Sequence, residues 1–227
     1  MKRRLIWISL GAVAVIACAA VGWFALSPST DAADAAAVGT TLPPDRVTAD
    51  DKVMGSTRAP VTVIEYYAQA CSHCAKFDSD VFPLLKAKYI DTGKVRYVMR
   101  LYPLFPIYGP SYKLTRCVPP QRYFQAVNFL FRNQPKWDSA EYPGVDAKVG
   151  LIRMARILGM SEDQAEACMN STDRDAAINK AAQEATERYK PDGTPTFIIN
   201  FKRVDLPHES WADVQAAIDA VLVAKTN

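Results

Sequence analysis

The sequence lacks any marked excess of charge, since 27 basic residues against 24 acidic ones leave a formal net charge of only +3. This balance excludes the strongly basic surface of a typical nucleic-acid-binding protein, so we expect no nucleic-acid partner. Glycine, at 10 residues, and proline, at 15, recur without a fixed period, which excludes collagen-like and low-complexity polymers. Because 49% of the residues are hydrophobic, we expect a packed core.

Metal-ligating residues are equally scarce, with two histidines and five cysteines in 227 residues. Structural zinc usually takes four Cys or His ligands, and the chain has a single C-x-x-C pair, Cys71 and Cys74. The second histidine, His208, lies far along the chain from this pair. A pair of zinc ligands is the alternative interpretation of Cys71 and Cys74, but we expect neither a metal nor a cofactor.

One long hydrophobic run is present, at the N-terminus. Three basic residues at positions 2–4 precede residues 5–26, in which only Ser9 is polar. The run is long enough to cross a bilayer, and the basic flank predicts that the residues after it are exported. We therefore predict that residues 1–26 anchor a periplasmic protein to the inner membrane. Cleavage near Ala35, where small residues cluster, is the alternative.

The rest of the chain divides into a linker and one domain. Residues 27–50 are rich in small and polar residues without apolar periodicity, which predicts a flexible linker before a folded domain at 51–227. In this domain the pattern predicts a strand at 61–67, a helix, a second strand, a helical block at about 104–190, a hairpin and a last helix. This order predicts an α/β fold, in which helices cover a mixed sheet and bury its apolar faces.

Local signals mark three helix boundaries. Pro83 must kink or end the helix that follows the first strand, because proline cannot continue the hydrogen-bond pattern. Ser161 and Ser210 each stand three residues before a Gln or Asp, which is the spacing of a capping box. We therefore predict that helices begin directly after these two serines.

Cys71-Ser72-His73-Cys74 falls at the junction between the first strand and its helix. A thiol at a helix N-terminus ionises more readily, because unpaired N–H groups and the helix dipole stabilise the thiolate. We therefore expect Cys71 to be a nucleophile with a strongly lowered pKa and Cys74 to be the buried, resolving thiol. His73 can add a positive charge or an N–H donor beside the sulfur, although a solvated helix residue is the alternative.

Two further positions are candidates for the same site. Glu65 interrupts an otherwise apolar strand six residues before Cys71, so it could be a buried acid that exchanges a proton with Cys74. Alternatively, Glu65 faces solvent. Thr194 and Pro195 open a later strand, where a cis peptide bond fits and would expose the Thr194 backbone to an extended substrate.

At these residues the sequence resembles the DsbA-like thiol:disulfide oxidoreductases of the thioredoxin superfamily, in the branch with a helical insertion. The resemblance covers about residues 51–224 and is carried by residues 61–67, by the Cys71 to Cys74 motif and by residues 193–197. It implies a thioredoxin fold with these site residues: Cys71 as nucleophile, Cys74 as resolving thiol, Pro195 in cis and Glu65 as the buried acid.

Two departures qualify the resemblance. Ser72 stands where the strongest oxidases of the family usually have proline, which leaves the redox potential open. Asn200-Phe201 replaces the Asn-Gly expected at the hairpin, which affects only the turn.

The favoured hypothesis is an enzyme that introduces disulfide bonds into exported proteins that are unfolded or reduced. Its redox partner would be a membrane protein that re-oxidises it. A reductase or isomerase could use the same site, and a metal- or protein-binding module without turnover could use the same fold.

Cys117 and Cys168 are the remaining cysteines of the predicted domain. We predict that they form a structural disulfide within the helical block, because thiols in an oxidising compartment rarely stay free. Two buried, unpaired cysteines are the alternative.

Overall fold

The computed structural model describes residues 45–103, 109–173 and 175–224. The predicted anchor at residues 5–26 and most of the predicted linker lie outside the described residues. Within the described ranges, no helix is both long enough and apolar enough to cross a bilayer.

Five strands form one mixed sheet in the described part of the chain, and its central strand leads to Cys71. The strands are β1 (Lys52–Met54), β2 (Val61–Tyr67), β3 (Val95–Leu101), β4 (Thr196–Ile199) and β5 (Lys202–Val204), in the spatial order β1-β3-β2-β4-β5. β2 and β3 are parallel, and the other neighbouring pairs are antiparallel. The sequence pattern predicts all of these except β1, whose three residues are too few to show a period.

β2 is buried on both faces, which explains its continuous run of β-branched and aromatic residues. Only Thr62 of this strand is partly exposed. Val63 lies opposite Tyr97 of β3, and Glu65 lies between Met99 of β3 and Phe197 of β4. The carboxyl of Glu65 is therefore in the centre of the sheet.

The described residues also form eight α-helices. They are α1 (Ser72–Asp80), α2 (Phe82–Leu85), α3 (Gly109–Cys117), α4 (Tyr123–Arg132), α5 (Ala147–Ile157), α6 (Glu162–Asn170), α7 (Asp175–Tyr189) and α8 (Trp211–Val223). A π-helical turn at Lys86–Ile90 follows α2, and 3₁₀ turns at Pro120–Arg122 and Gln134–Lys136 flank α4. Helices α3 to α7 lie between β3 and β4 in the chain and constitute the helical insertion.

The predicted helix boundaries are confirmed. α1 ends at Asp80, and Pro83 lies in the first turn of α2, where its missing N–H leaves no partner unsatisfied. Ser161 caps α6 with Gln164 in a full capping box, and Ser210 caps α8 with Asp213 in the same way.

The helical insertion has a hydrophobic core of its own. Its buried members include Leu114, Leu130, Trp137, Leu151 and Met154. A disulfide joins Cys117, at the end of α3, to Cys168 in α6, with a Cα–Cα distance of 6.3 Å. The bond therefore ties together two helices that are 51 residues apart in sequence at this point.

Residues ahead of the predicted domain boundary are held against the sheet. The guanidinium of Arg100 in β3 donates to Asp45 at 2.9 Å and to Asp51 at 2.8 Å, and its side chain is only 11% exposed. The Tyr189 hydroxyl also donates to Asp45, at 2.6 Å. The packed structure thus reaches back to Asp45, ahead of the predicted start at residue 51.

Candidate active site

Cys71 and Cys74 lie where β2 passes into α1. Cys71 is the N-cap of α1, and its sulfur accepts a hydrogen bond from the backbone N–H of Cys74 at 3.2 Å. Cys71 is partly exposed, whereas Cys74 is 0% exposed, and both are free thiols. One sulfur can therefore meet a substrate while the other is covered by protein, which is the asymmetry that an attacking and a resolving thiol need.

The loop before β4 brings Thr194 and Pro195 to the same place. The peptide bond between them is cis. The Cys71 thiol donates to the carbonyl oxygen of Thr194 at 3.0 Å, although the two residues are 123 positions apart. The Thr194 hydroxyl is buried and has no hydrogen-bond partner among the described residues. The structure thus brings together four residues that the sequence predicts for one site: Cys71, Cys74, Thr194 and Pro195.

The two thiols differ strongly in acidity. A hydrogen bond from the Cys74 thiol contributes most to lowering the pKa of Cys71, and burial opposes it. Thr194 and the backbone N–H groups of Cys74 and His73 lower it further, so that the pKa of Cys71 is about 6. Burial raises the pKa of Cys74 well above its ordinary value. At neutral pH, Cys71 is therefore mostly ionised while Cys74 keeps its proton.

The His73 imidazole points to a partner that the sequence does not suggest. Its Nδ1 atom lies 3.6 Å from Oε2 of Glu209, and the side chain is 73% exposed. The backbone N–H of His73, by contrast, is among the groups that lower the pKa of Cys71. The structure therefore gives His73 a contact with the reactive sulfur through its backbone, while its ring faces Glu209.

Glu65 is 2% exposed, so the alternative in which it faces solvent is wrong. Its carboxylate accepts a hydrogen bond from the hydroxyl of Tyr97 in β3. Burial raises the pKa of Glu65 to about 8, with smaller contributions from the charges of Asp78, Cys71 and Glu209, while the Tyr97 bond lowers it. Glu65 in turn raises the pKa of Cys74 by its charge. Cys74 lies in the same buried cluster as Tyr97, whose hydroxyl bonds to Glu65.

Tyr97 and Asp78 belong to this site, although the sequence analysis does not single them out. Asp78 lies on α1, one turn after Cys74, and is 8% exposed. It accepts a hydrogen bond from Asn128 of α4, and burial raises its pKa to about 6. Its spacing of four residues from Cys74 places both on one face of a helix, a signal that could have identified it.

A pair of metal ligands is the alternative interpretation of Cys71 and Cys74. In residues 45–103, 109–173 and 175–224, no three Cys, His, Asp or Glu side chains cluster closely enough to hold a metal ion.

Replacing Glu65 with glutamine should change how stability depends on pH. The ordinary pKa of 4.5 applies to Glu65 in the unfolded chain, whereas the folded chain ionises it only near 8. Wild-type stability therefore declines as the pH rises through this window, by about 1 kcal/mol per pH unit, and the Glu65→Gln variant lacks this decline. Urea unfolding of both proteins at pH values between these two pKa values measures the difference in slope. Parallel stability curves would contradict the buried acid.

Comparison with known proteins agrees with this geometry. A family described as thioredoxin matches residues 48–220, which is most of the chain. A curated protein of Rickettsia typhi, named as a protein-disulfide oxidoreductase, is 29% identical over 179 residues, covering 78% of this chain and 64% of the relative. The chain thus spans less than two thirds of that relative's length.

Solved structures similar to this one carry related names. The crystal structure of α-DsbA1 from Wolbachia pipientis has a TM-score of 0.69 at 26% identity, and the match covers 80% of this chain and 96% of that one. A protein-disulfide isomerase from Novosphingobium aromaticivorans shares the fold, with a TM-score of 0.65 at 22% identity, over 75% of this chain and 96% of that one. The chain therefore belongs to the thioredoxin family, and it is similar to protein-disulfide oxidoreductases and to DsbA proteins within that fold.

Proposed function

We propose that the protein is a disulfide oxidase that introduces disulfide bonds into other proteins through Cys71 and Cys74. The observation that carries this proposal is the pairing of an accessible sulfur of pKa about 6, at a helix N-terminus, with a fully buried partner thiol. A thiol that ionises this readily is a good leaving group, so a disulfide that contains it is readily reduced by a substrate.

In the proposed reaction, the disulfide between Cys71 and Cys74 is the oxidant. A substrate thiolate attacks the Cys71 sulfur, the bond between the two cysteines breaks, and Cys74 leaves and takes a proton from Glu65. A second substrate thiolate then attacks the substrate sulfur of the mixed disulfide and releases Cys71 as a thiolate. The substrate loses two electrons and gains a disulfide, and the enzyme pair gains the same two electrons.

Return to the oxidised state uses the same groups in reverse. The Cys71 thiolate attacks a disulfide of a redox partner protein, the partner's leaving sulfur departs, and a mixed disulfide forms. The Glu65 carboxylate takes the proton of Cys74, whose thiolate then attacks the Cys71 sulfur and releases the partner as a dithiol. We propose a membrane redox protein as that partner.

Thr194 and Pro195 are proposed to bind the substrate. The Thr194 carbonyl lies 3.0 Å from the Cys71 sulfur, so an extended peptide that pairs with the Thr194 backbone would present its own cysteine to Cys71. Backbone pairing suits an enzyme with many substrates, because it does not depend on the side chains of the bound chain.

The place of action is proposed from the N-terminal sequence. Residues 5–26 form an uncharged run behind three basic residues, which supports export to the periplasm with retention on the inner membrane. Cell fractionation tests this part of the proposal separately, because recovery of the protein in the soluble periplasmic fraction would overturn the anchor alone.

The equilibrium potential of the Cys71–Cys74 pair in glutathione buffers tests the direction of transfer. A pKa of about 6 stabilises the reduced form at pH 7 and raises the potential by about 30 mV relative to an ordinary thiol. A Cys71 pKa near 4 would raise the potential by about three times that amount. Added to a thioredoxin-like value of about −270 mV, the shift of about 30 mV gives about −240 mV, so the Cys71 pKa alone does not place the pair in the oxidase range. A measured potential near about −120 mV is the result that supports the oxidase.

A potential near about −270 mV would instead identify a reductase, and a value near about −180 mV would point to an isomerase. A protein that holds metal in stoichiometric amount and does not turn over dithiol substrates would be a binding module. In each case the same two cysteines would serve a different function.

A further inference from the structure

Tyr97 and Glu65 form a buried pair beneath the active-site helix. Tyr97 is 0% exposed and Glu65 is 2% exposed, and the Tyr97 hydroxyl donates to Oε2 of Glu65. The two residues lie on adjacent parallel strands, β3 and β2. The Tyr97 ring packs on Phe82 of α2 at a centroid distance of 5.1 Å, which fixes the ring independently of its hydroxyl.

The surroundings of Glu65 make this hydrogen bond important. Asp78 and Cys71 act on the carboxyl from α1, and Glu209 acts on it from the segment before α8, each through negative charge that disfavours ionisation. The negative charge of the same carboxyl raises the pKa of Cys74 of α1. Arg132 of α4 acts on Asp78 and is not among the strongest influences on Glu65. Among those influences, Tyr97 alone favours the carboxylate.

We propose that Tyr97 is a positioning residue for proton transfer: its buried hydroxyl holds the Glu65 carboxyl beneath Cys74 and stabilises the carboxylate that must accept the Cys74 proton. This inference rests on the proposed acid–base role of Glu65. The Tyr97 hydroxyl keeps its own proton throughout, because burial and the neighbouring carboxyl raise its pKa well above the ordinary value. The transferred proton therefore passes only between Cys74 and Glu65.

The step to measure is the closing of the enzyme disulfide. The Cys71 sulfur is first joined to glutathione as a mixed disulfide. The Cys74 thiol then gives its proton to Glu65, its sulfur attacks the Cys71 sulfur, and glutathione leaves as a thiolate. The rate of glutathione release, followed by rapid acid quenching over a series of pH values, reports how readily Cys74 is deprotonated.

The Tyr97→Phe variant removes the hydroxyl and keeps the ring. Loss of a hydrogen bond to a carboxylate disfavours ionisation, so we expect the pH midpoint of glutathione release to rise by about one pH unit. The rate near neutral pH should then fall about tenfold and return to the wild-type rate at high pH. A rate that is reduced equally at every pH would indicate a merely structural role and overturn the proposal.

Tyr89→Phe is the matched control. Tyr89 is 0% exposed, and its hydroxyl also donates to a carboxylate, Asp219, at 2.6 Å. This variant therefore loses the same kind of bond elsewhere in the fold, and we expect its pH midpoint to match that of the wild type. An equal shift in Tyr89→Phe and Tyr97→Phe would overturn the proposal.

The Glu65→Gln variant separates this inference from the proposed function. Glutamine keeps an oxygen for the Tyr97 hydroxyl but cannot accept a proton, so the pH profile of glutathione release in this variant should differ from that of the wild type. Adding Tyr97→Phe to Glu65→Gln should not change that profile further. If Glu65→Gln has a wild-type profile, the proposed acid–base role fails. If Glu65→Gln alters the profile and Tyr97→Phe does not, the role of Glu65 stands and the inference about Tyr97 is wrong.

Discussion

Replacing Cys71 with alanine should abolish the oxidation of dithiol substrates. Cys71 is the partly exposed thiol of the pair, and Cys74, at 0% exposure, cannot meet a protein substrate. Oxidation of a reduced peptide with two cysteines should therefore fall to the uncatalysed rate. Fluorescence or mass spectrometry of the peptide measures this loss, and measurable turnover by the Cys71→Ala variant would mean that another residue is the nucleophile.

Replacing Cys74 with alanine should have a different outcome. The Cys71 thiolate remains and can attack a substrate disulfide, but no second thiol is present to resolve the mixed disulfide. The covalent complex should accumulate and be visible as a species that disappears on reduction in gel electrophoresis. If the Cys74→Ala variant folds but forms no such complex, Cys71 is not the nucleophile.

The second large effect is expected from the disulfide of the helical insertion. Replacing both Cys117 and Cys168 with alanine frees a loop of 51 residues in the unfolded chain. Loop-closure arithmetic gives about 4 kcal/mol for such a loop, as an upper figure. We expect the free energy of unfolding in urea to fall by about 2 to 4 kcal/mol, because strain in the bond and residual structure in the unfolded chain reduce the effect below the loop-closure figure.

A Cys71→Ala, Cys74→Ala variant is the background for this comparison, because it leaves Cys117 and Cys168 as the cysteines of the domain. Alkylation followed by intact-mass measurement should find neither of them reactive in that background. Alkylation at both positions would show that the bond is absent. An unchanged unfolding midpoint after replacement of both cysteines would show that the bond does not stabilise the protein.

Features with local causes could be predicted from the sequence. The break before Pro83 follows from the missing N–H of one residue, and the capping boxes at Ser161 and Ser210 involve residues three positions apart. The placement of Cys71 at a helix N-terminus follows from a strand pattern directly before it. In each case the interacting groups are neighbours in the chain, so the sequence contains the whole cause.

Features that depend on packing could not be predicted in the same way. Tyr97 acts on Glu65 because β3 is parallel to β2 with Val63 opposite Tyr97, and this register is a property of the folded sheet. The His73 ring meets Glu209, which lies more than a hundred residues later in the chain. The partners of both side chains are set by tertiary structure, so the sequence suggests only that these residues carry chemistry.

The site is divided between two distant parts of the chain. Cys71 meets Thr194 across 123 residues, and β3 and the helical insertion lie in the interval between them. In an unfolded copy the Cys71 thiol has the ordinary pKa of 9.0, because the helix N-terminus that presents the N–H groups of His73 and Cys74 has not formed and Thr194 is far away. A newly made copy therefore reacts slowly with cysteines on neighbouring chains. The sulfur becomes acidic when α1 forms, and Thr194 adds its contribution when the last strands join the sheet.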